Sequence, residues 1–203
     1  MPCKVLADPV NFLYRSAETT DRNPMLGADM NIRETDSADL PLIEMLYPVA
    51  FPGEDLLPLV RQLLGGENDV LSLGAMEGGR LIGHVAFTVC RIAGADVTVA
   101  LLAPLAVDPE LQRRGVGIAL VEEGFRRLRS RGIQRVVVLG DPAYYGRFGF
   151  EPDEQVLPPY AIPEEWRTAW QYVDLNEGKT AERAVGGRLT VPPVWQKEAL
   201  WLP

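Results

Sequence analysis

Histidine and cysteine are nearly missing from this chain: among 203 residues there is one histidine, His84, and two cysteines, Cys3 and Cys90. Cys3 falls in an irregular N-terminal stretch and Cys90 inside an apolar strand pattern, so no disulfide is expected and a reducing, cytoplasmic location is. Long apolar runs are missing as well. None approaches the ~20 residues that cross a bilayer, and the N-terminus lacks the basic, apolar and small segments of a secretory signal. Neither membrane association nor secretion is expected, and no internal repeat or low-complexity tract is visible. Positive charge is short: 20 Lys and Arg against 28 Asp and Glu give a net charge of −8. That balance argues against a nucleic-acid partner. It suits a cationic acceptor such as an amine, although an acidic surface also serves solubility alone.

What is present is ordinary for one soluble domain with a real core, 47% apolar and 24% charged. Residues 1–29 carry no sustained periodicity and are broken by Pro2, Pro9, Pro24 and Gly27, so they read as a tail or extension. Met30–Glu34 predicts a short strand. Asp36 or Ser37 can cap a helix through Leu40, Ile43 and Leu46 that Pro48 and Pro52 stop. A second helical pattern, Asp55–Leu64, closes at Gly65-Gly66. Asp69–Met76 and Arg80–Ile92 are β-rich and joined by Glu77-Gly78-Gly79, a hairpin signal. Thr98–Val107 is a third long run. Ile118, Val121, Phe125 and Leu128 then recur at helical spacing, Arg135–Leu139 is an apolar strand, and Asp141-Pro142 starts a short helix. Beyond Pro158, Ala169–Leu175 and Arg188–Val191 predict strands and Trp195–Leu200 a helical turn. The order βαα-βββ-αβ-αβ implies a mixed α/β (α+β) sheet, an antiparallel meander followed by a parallel pair.

The densest chemistry lies at Val107-Asp108-Pro109-Glu110-Leu111-Gln112-Arg113-Arg114-Gly115-Val116-Gly117-Ile118-Ala119-Leu120. The apolar run Leu101–Val107 ends in a polar loop, and two arginines and two glycines then open an amphipathic helix. Such a loop offers several backbone N–H groups, backed by the positive end of a helix dipole, to one anion. The glycines admit a phosphate close to the backbone, and the arginines add charge at the rim. The P-loop spacing of Gly, Lys and Ser/Thr is absent. A dinucleotide fingerprint comes closer, since Gly115 and Gly117 lie between strand and helix and Asp141 stands where a ribose-binding acid would. Leu120, however, holds the third-glycine position, and Asp108–Arg114 is too long for the required tight turn. Coenzyme A fits better. Its pyrophosphate would rest on the N–H groups of residues 113–118. Its amide-bearing arm would run along Leu105–Val107, where Pro104 suits a splayed or edge strand.

The loop Gln112-Arg113-Arg114-Gly115-Val116-Gly117, followed by Ile118-Ala119-Leu120, resembles the acyl-CoA loop of the GNAT acetyltransferase superfamily. Val138-Leu139-Gly140-Asp141-Pro142-Ala143-Tyr144-Tyr145-Gly146-Arg147-Phe148-Gly149-Phe150 resembles that superfamily's second CoA motif. With Leu102-Ala103-Pro104-Leu105-Ala106-Val107, the combination is similar to a bacterial branch, the YhbS-like predicted acetyltransferases. The resemblance implies a GNAT fold over residues 30–155, with 1–29 as an extension and 156–203 completing or covering the same domain. It implies acetyl-CoA as acyl donor, no metal, and a small-molecule amine or peptide as acceptor, with a homodimer as one admissible assembly. Leu105, Ala106 and Val107 would flank the donor's arm and thioester. Gln112, Arg113, Arg114, Gly115, Val116, Gly117, Ile118 and Ala119 would hold its pyrophosphate, and Asp141 a further part. Tyr145 would be the general acid for the leaving thiolate, or only a hydrogen-bond partner of it.

A base is harder to find. Many members of the superfamily keep an acid on or near the strand before the loop, but Val97–Val107 contains no carboxylate or histidine. His84, on the expected neighbouring strand, has an ordinary pKa of ~6.5 and can take an amine proton directly or through water, or can be a satisfied core residue. Glu44, Glu54 and Asp55 can bind the amine's charge or simply be solvated. Arg147 can reach the phosphates or stand on the surface. Trp166, Trp170, Trp195 and Trp201 either line an acceptor pocket or pack an added segment. Tyr144 reads as a packing residue, and Phe148 and Phe150 as core. Neither cysteine stands where a nucleophile belongs, so the expected transfer is direct, without an acyl-enzyme; a CoA-binding sensor without turnover is the alternative.

Overall fold

The structure, a computed structural model, describes residues 30–175 and 186–202. In chain order the elements are β1 (Asn31–Glu34), α1 (Leu40–Ala50), α2 (Leu57–Gly65), β2 (Val70–Glu77), β3 (Arg80–Ile92), β4 (Thr98–Val107), α3 (Val116–Ser130), β5 (Arg135–Leu139) and α4 (Pro142–Tyr145). Four short strands follow: β6 (Glu151–Pro152), β7 (Val156–Leu157), β8 (Trp170–Asp174) and β9 (Gly187–Thr190). The sheet order is β1-β2-β3-β4-β5-β8-β6, antiparallel along that path except for the parallel β4–β5 pair. β9 adds to the far end of β3 and also pairs with β7.

Local sequence explains most boundaries. The Asp36 carboxylate accepts from Ala38 N at 2.7 Å and Asp39 accepts from Asp36 N at 3.0 Å, a reciprocal cap that starts the turn leading into α1. α1 runs through Pro48 to Ala50 rather than stopping at it. Pro48 lies in the last turn, where its missing N–H costs one hydrogen bond to a helix that ends two residues later. Pro58 falls in the first turn of α2, where no donor is needed.

The sheet is covered on both faces. On one, α3 buries Val116, Leu120, Val121, Phe125 and Leu128 against Leu71, Leu73, Val85 and Phe87. On the other lie α1, α2 and the C-terminal segment, whose tryptophans join the core: Trp170, Trp195 and Trp201 are at most 1% exposed, and Trp166 is buried with them. Each of the three deepest indoles finds an acceptor for its N–H, Trp170 on Val156 O, Trp195 on Thr88 Oγ1 and Trp201 on Trp195 O. Core packing occupies these side chains, and Trp170 also borders a cavity of about 220 Å³ together with Leu157, Tyr160 and Ile162.

Two irregularities in β4 shape everything that follows. Its pairing with β5 ends at Leu101 with Val137, after which β4 continues with β3 while β5 continues with β8, and the two strands part. Between those points Ala103 and Pro104 form a bulge, because Phe87 pairs with Leu102 but Val85 with Leu105. The bulge exchanges the faces of the strand. Before it Leu101 and Ala103 face α1 and α2; after it Ala106 does, while Leu105 and Val107 turn to the α3 side.

Candidate active site

The wedge between β4 and β5 leaves the β5 side of Leu105, Ala106 and Val107 without a strand partner. At its mouth the chain turns into the loop before α3. Asp108 fixes that turn: one carboxylate oxygen accepts from Glu110 N at 3.0 Å and the other takes the Arg80 guanidinium. Arg113 and Gly115 both adopt left-handed backbone, with φ of 62° and 84°. Gly115 does so at no steric cost, whereas an arginine there is strained and held by its surroundings. Alternation of this kind bends a loop into a concave nest of N–H groups. The first donor satisfied inside α3 is Ala119 N, on Gly115 O at 2.9 Å. The N–H groups of Val116, Gly117 and Ile118 therefore have no intrahelical acceptor and carry the positive end of the helix dipole. Gln112, Arg113 and Arg114 are exposed at the rim, Val116 and Gly117 are buried beneath it, and Ile118 is exposed beside it.

The opposite wall begins at the end of β5. Asp141 caps α4 through one carboxylate oxygen, which accepts from Ala143 N at 2.9 Å. Its other oxygen is buried and has no hydrogen-bond partner among the described residues. The ring of Tyr145 lies directly on Gly140, where no side chain would fit, and packs edge-on against Phe150 with centroids 5.5 Å apart. Burial pushes the Tyr145 phenol above its usual range, so it stays protonated and able to donate at neutral pH. Tyr144 points the other way. Its hydroxyl meets the first turn of α3 at Gly117, and the Arg147 guanidinium stacks on its ring at 4.6 Å.

His84 is not at this mouth. It is 0% exposed, on the α1 side of β3, with Nδ1 2.7 Å from Tyr47 Oη and Nε2 2.8 Å from Ser72 Oγ, which in turn reaches Thr35 Oγ1. Burial lowers its pKa to about 3. Both ring nitrogens are thus engaged, and the ring has no exposed edge for direct contact with an amine. Glu44 is likewise occupied, on Arg61. Next to His84, Tyr47 and Phe51 form one side of a cavity of about 360 Å³ at the α1–α2 junction, which Glu54, Asp55 and Leu56 also line. Tyr47 and Leu56 belong to the α1–α2 face and Val116 to the α3 face, so this cavity lies across the sheet from the cradle; its link to β4 is Tyr47, which reaches His84, the partner of Ala106.

A wedge between two parallel strands, a nest at the start of the following helix and a paired tyrosine helix opposite it narrow the choice of family. The profile described as "Acetyltransferase (GNAT) domain" matches residues 31–152. The chain belongs to the GNAT family. As a GNAT protein it is an N-acetyltransferase with acetyl-CoA as its donor. It is 40% identical over 149 residues to the uncharacterized N-acetyltransferase YjhQ of Escherichia coli, covering 70% of this chain and 82% of that protein. To the uncharacterized N-acetyltransferase YhbS of the same organism it is 39% identical over 125 residues, 60% of this chain and 74% of that one.

Solved GNAT structures agree with the architecture. The complex of Escherichia coli YhbS with CoA superposes with a TM-score of 0.75 at 30% identity, covering 89% of this chain and 97% of that one. A Brucella melitensis GNAT acetyltransferase in complex with acetyl-CoA gives 0.64 at 28% identity, with 81% and 97% covered. No described helix is long and apolar enough to cross a membrane, and no group of three or more potential metal ligands is present among the described residues. Sequence patterns alone did not single out Tyr47 and Phe51, although their four-residue spacing on one helix face was the available signal.

Proposed function

We propose that the acetyl group passes directly from the CoA thioester, held in the β4–β5 wedge, to an amine that enters from the α1–α2 side. The observation that carries this reading is the loss of β4–β5 pairing after Leu101 and Val137, which opens the sheet between the cradle on one face and the cavity on the other. The residues present fit the donor. The nest from Arg113 to Ile118 suits a pyrophosphate, with Arg114 and Arg147 as added cations. The unpaired edge of Leu105–Val107 suits an amide-bearing arm, and the orphaned Asp141 oxygen can accept from one of its N–H groups. The donor supplies an activated acyl group on a thiol leaving group; the chain supplies placement and protons.

A backbone N–H near Val107 polarises the thioester carbonyl. Tyr145, protonated at neutral pH, gives its phenolic proton to the departing sulfur. Glu54 and Asp55 draw the cationic amine to the cavity; one amine proton leaves to solvent before attack, and a second, released as the amide forms, restores the Tyr145 phenol through solvent, neither passing to His84. The acceptor on this reading is a small-molecule or peptide amine, and the reaction needs neither metal nor nucleic acid. Incubating the protein with acetyl-CoA and a panel of primary amines, while following free thiol and acetylated product, tests it. Stoichiometric thiol and product with at least one amine are expected. Tight acetyl-CoA binding with no release for any acceptor would instead mark a sensor.

A further inference from the structure

Gly117 presents a puzzle once its backbone is considered. It lies in the first turn of α3 without left-handed geometry, so its backbone conformation does not itself call for glycine. A Cβ at this position would stand 2.6 Å from Tyr144 Oη, closer than real Cβ atoms come. Its next neighbours, Val107 Cγ2 at 3.6 Å and Tyr144 Cζ at 3.9 Å, are ordinary contacts. One hydroxyl therefore stands in the way, and it is not on a yielding side chain. The Tyr144 ring is held edge-on by Tyr145 and Phe148, with centroids at 5.0 and 5.7 Å, and is covered by Arg147, whose Nε donates to Tyr144 O at 2.9 Å. Tyr145 is seated in the same manner on Gly140. The series Gly117, Tyr144, Tyr145, Gly140 thus ties α3 to β5 across the wedge, where strand pairing has ended.

We propose that Tyr144 is a positioning residue whose hydroxyl, seated on Gly117, locks the pyrophosphate cradle to α4 and keeps Tyr145 in place, and that Gly117 is glycine to make that seat. The functional half rests on the donor reading above. Glycine in this loop would then answer to a contact within the protein, and not to the close approach of a phosphate.

A double-mutant cycle decides between these, because Tyr144→Phe removes the one obstructing atom and leaves Cζ at an ordinary distance. Gly117→Ala should lower the melting temperature of the donor-free protein by about 4 °C. In the Tyr144→Phe background the same change should cost nearly nothing. Calorimetric affinity for acetyl-CoA should fall about tenfold in Gly117→Ala and return in the double variant to within about twofold of Tyr144→Phe alone. The kcat at saturating donor should recover with it. Additive losses in all three measurements would show that the glycine serves the phosphate and overturn the proposal. Recovery of stability without recovery of affinity and kcat would overturn the positioning role. A wild-type protein that binds no acetyl-CoA would sink the donor reading, while the melting cycle would still decide the seat.

Discussion

Tyr145 and His84 show how burial gives two polar residues opposite duties. Both are polar side chains on apolar walls, and desolvation favours the neutral form of each. For tyrosine the neutral form is the donor, so burial at the end of β5 keeps a proton available where a thiolate would leave. Tyr145→Phe should lower kcat by about a hundredfold while acetyl-CoA affinity changes less than about threefold, as expected for removal of a general acid. Equal losses in the two would instead point to a binding role. For histidine the neutral form is a mute one. Between its ordinary value of 6.5 and about 3 the unfolded chain holds a proton that folded His84 refuses. Stability is therefore complete above the upper value and falls as pH drops through that window, by up to about 1.4 kcal/mol per pH unit. Urea denaturation between pH 7 and 5 should show this slope, and His84→Gln should flatten it. Asp39, held at about 2 by the Arg33 guanidinium, loses its contribution only below the ordinary carboxylate value of 3.8 and leaves the range from pH 7 to 5 clear. The acceptor rate should also lack an acid limb near pH 6.5; finding one that vanishes in His84→Gln would return the histidine to the reaction.

At the scale of elements, α3 and the loop before it were the most legible part of the sequence. Their signals are local: a polar loop, two glycines and a 3.6-residue apolar period all lie within about thirty residues. The arginines between Arg113 and Arg135 are divided in purpose. Arg126 and Arg127 pair with Glu123, Arg127 and Arg131 reach Glu34, and Arg135 pairs with Asp174, so these serve the fold. Arg114 stays exposed at the rim of the nest. Raising ionic strength should weaken acetyl-CoA binding, and Arg114→Ala should cost about threefold in affinity and reduce that salt dependence. An Arg114→Ala protein with unchanged affinity and unchanged salt slope would remove this side chain from the cradle. What stayed hidden was the hydrogen bonding of His84. Its partners, Tyr47 and Ser72, are brought to it by helix packing and by strand register, and neither is written in the apolar run that surrounds it.

Over the whole molecule the same division holds. The β1–β5 core and its order could be read from runs and turns, and the donor from the loop's chemistry together with its resemblance to the GNAT motifs. The C-terminal segment was only partly legible, because β6 and β7 are two residues each and pair with strands far along the chain. Its tryptophans reveal its weight in the fold. Trp201→Ala, which empties a site that is 0% exposed, should destabilise the protein by about 3–5 kcal/mol, measurable as a shifted denaturation midpoint. A loss below about 1 kcal/mol would mean that the segment is a detachable cover.

The bulge at Ala103 and Pro104 acts on β4 as a frameshift acts on a message. Upstream and downstream of it the same alternation is read, but the two sides exchange tenants. In the downstream frame the donor wall receives the bulky Leu105 and Val107, and the side toward Tyr47 receives only the methyl of Ala106. Had Ala103 and Pro104 kept the regular alternation instead, Leu105 and Val107 would stand on the side toward Tyr47, where only Ala106 now does. On the proposed reading, the room for an acceptor is thus set by one bulged residue in the backbone, upstream of any choice of side chain in the cavity.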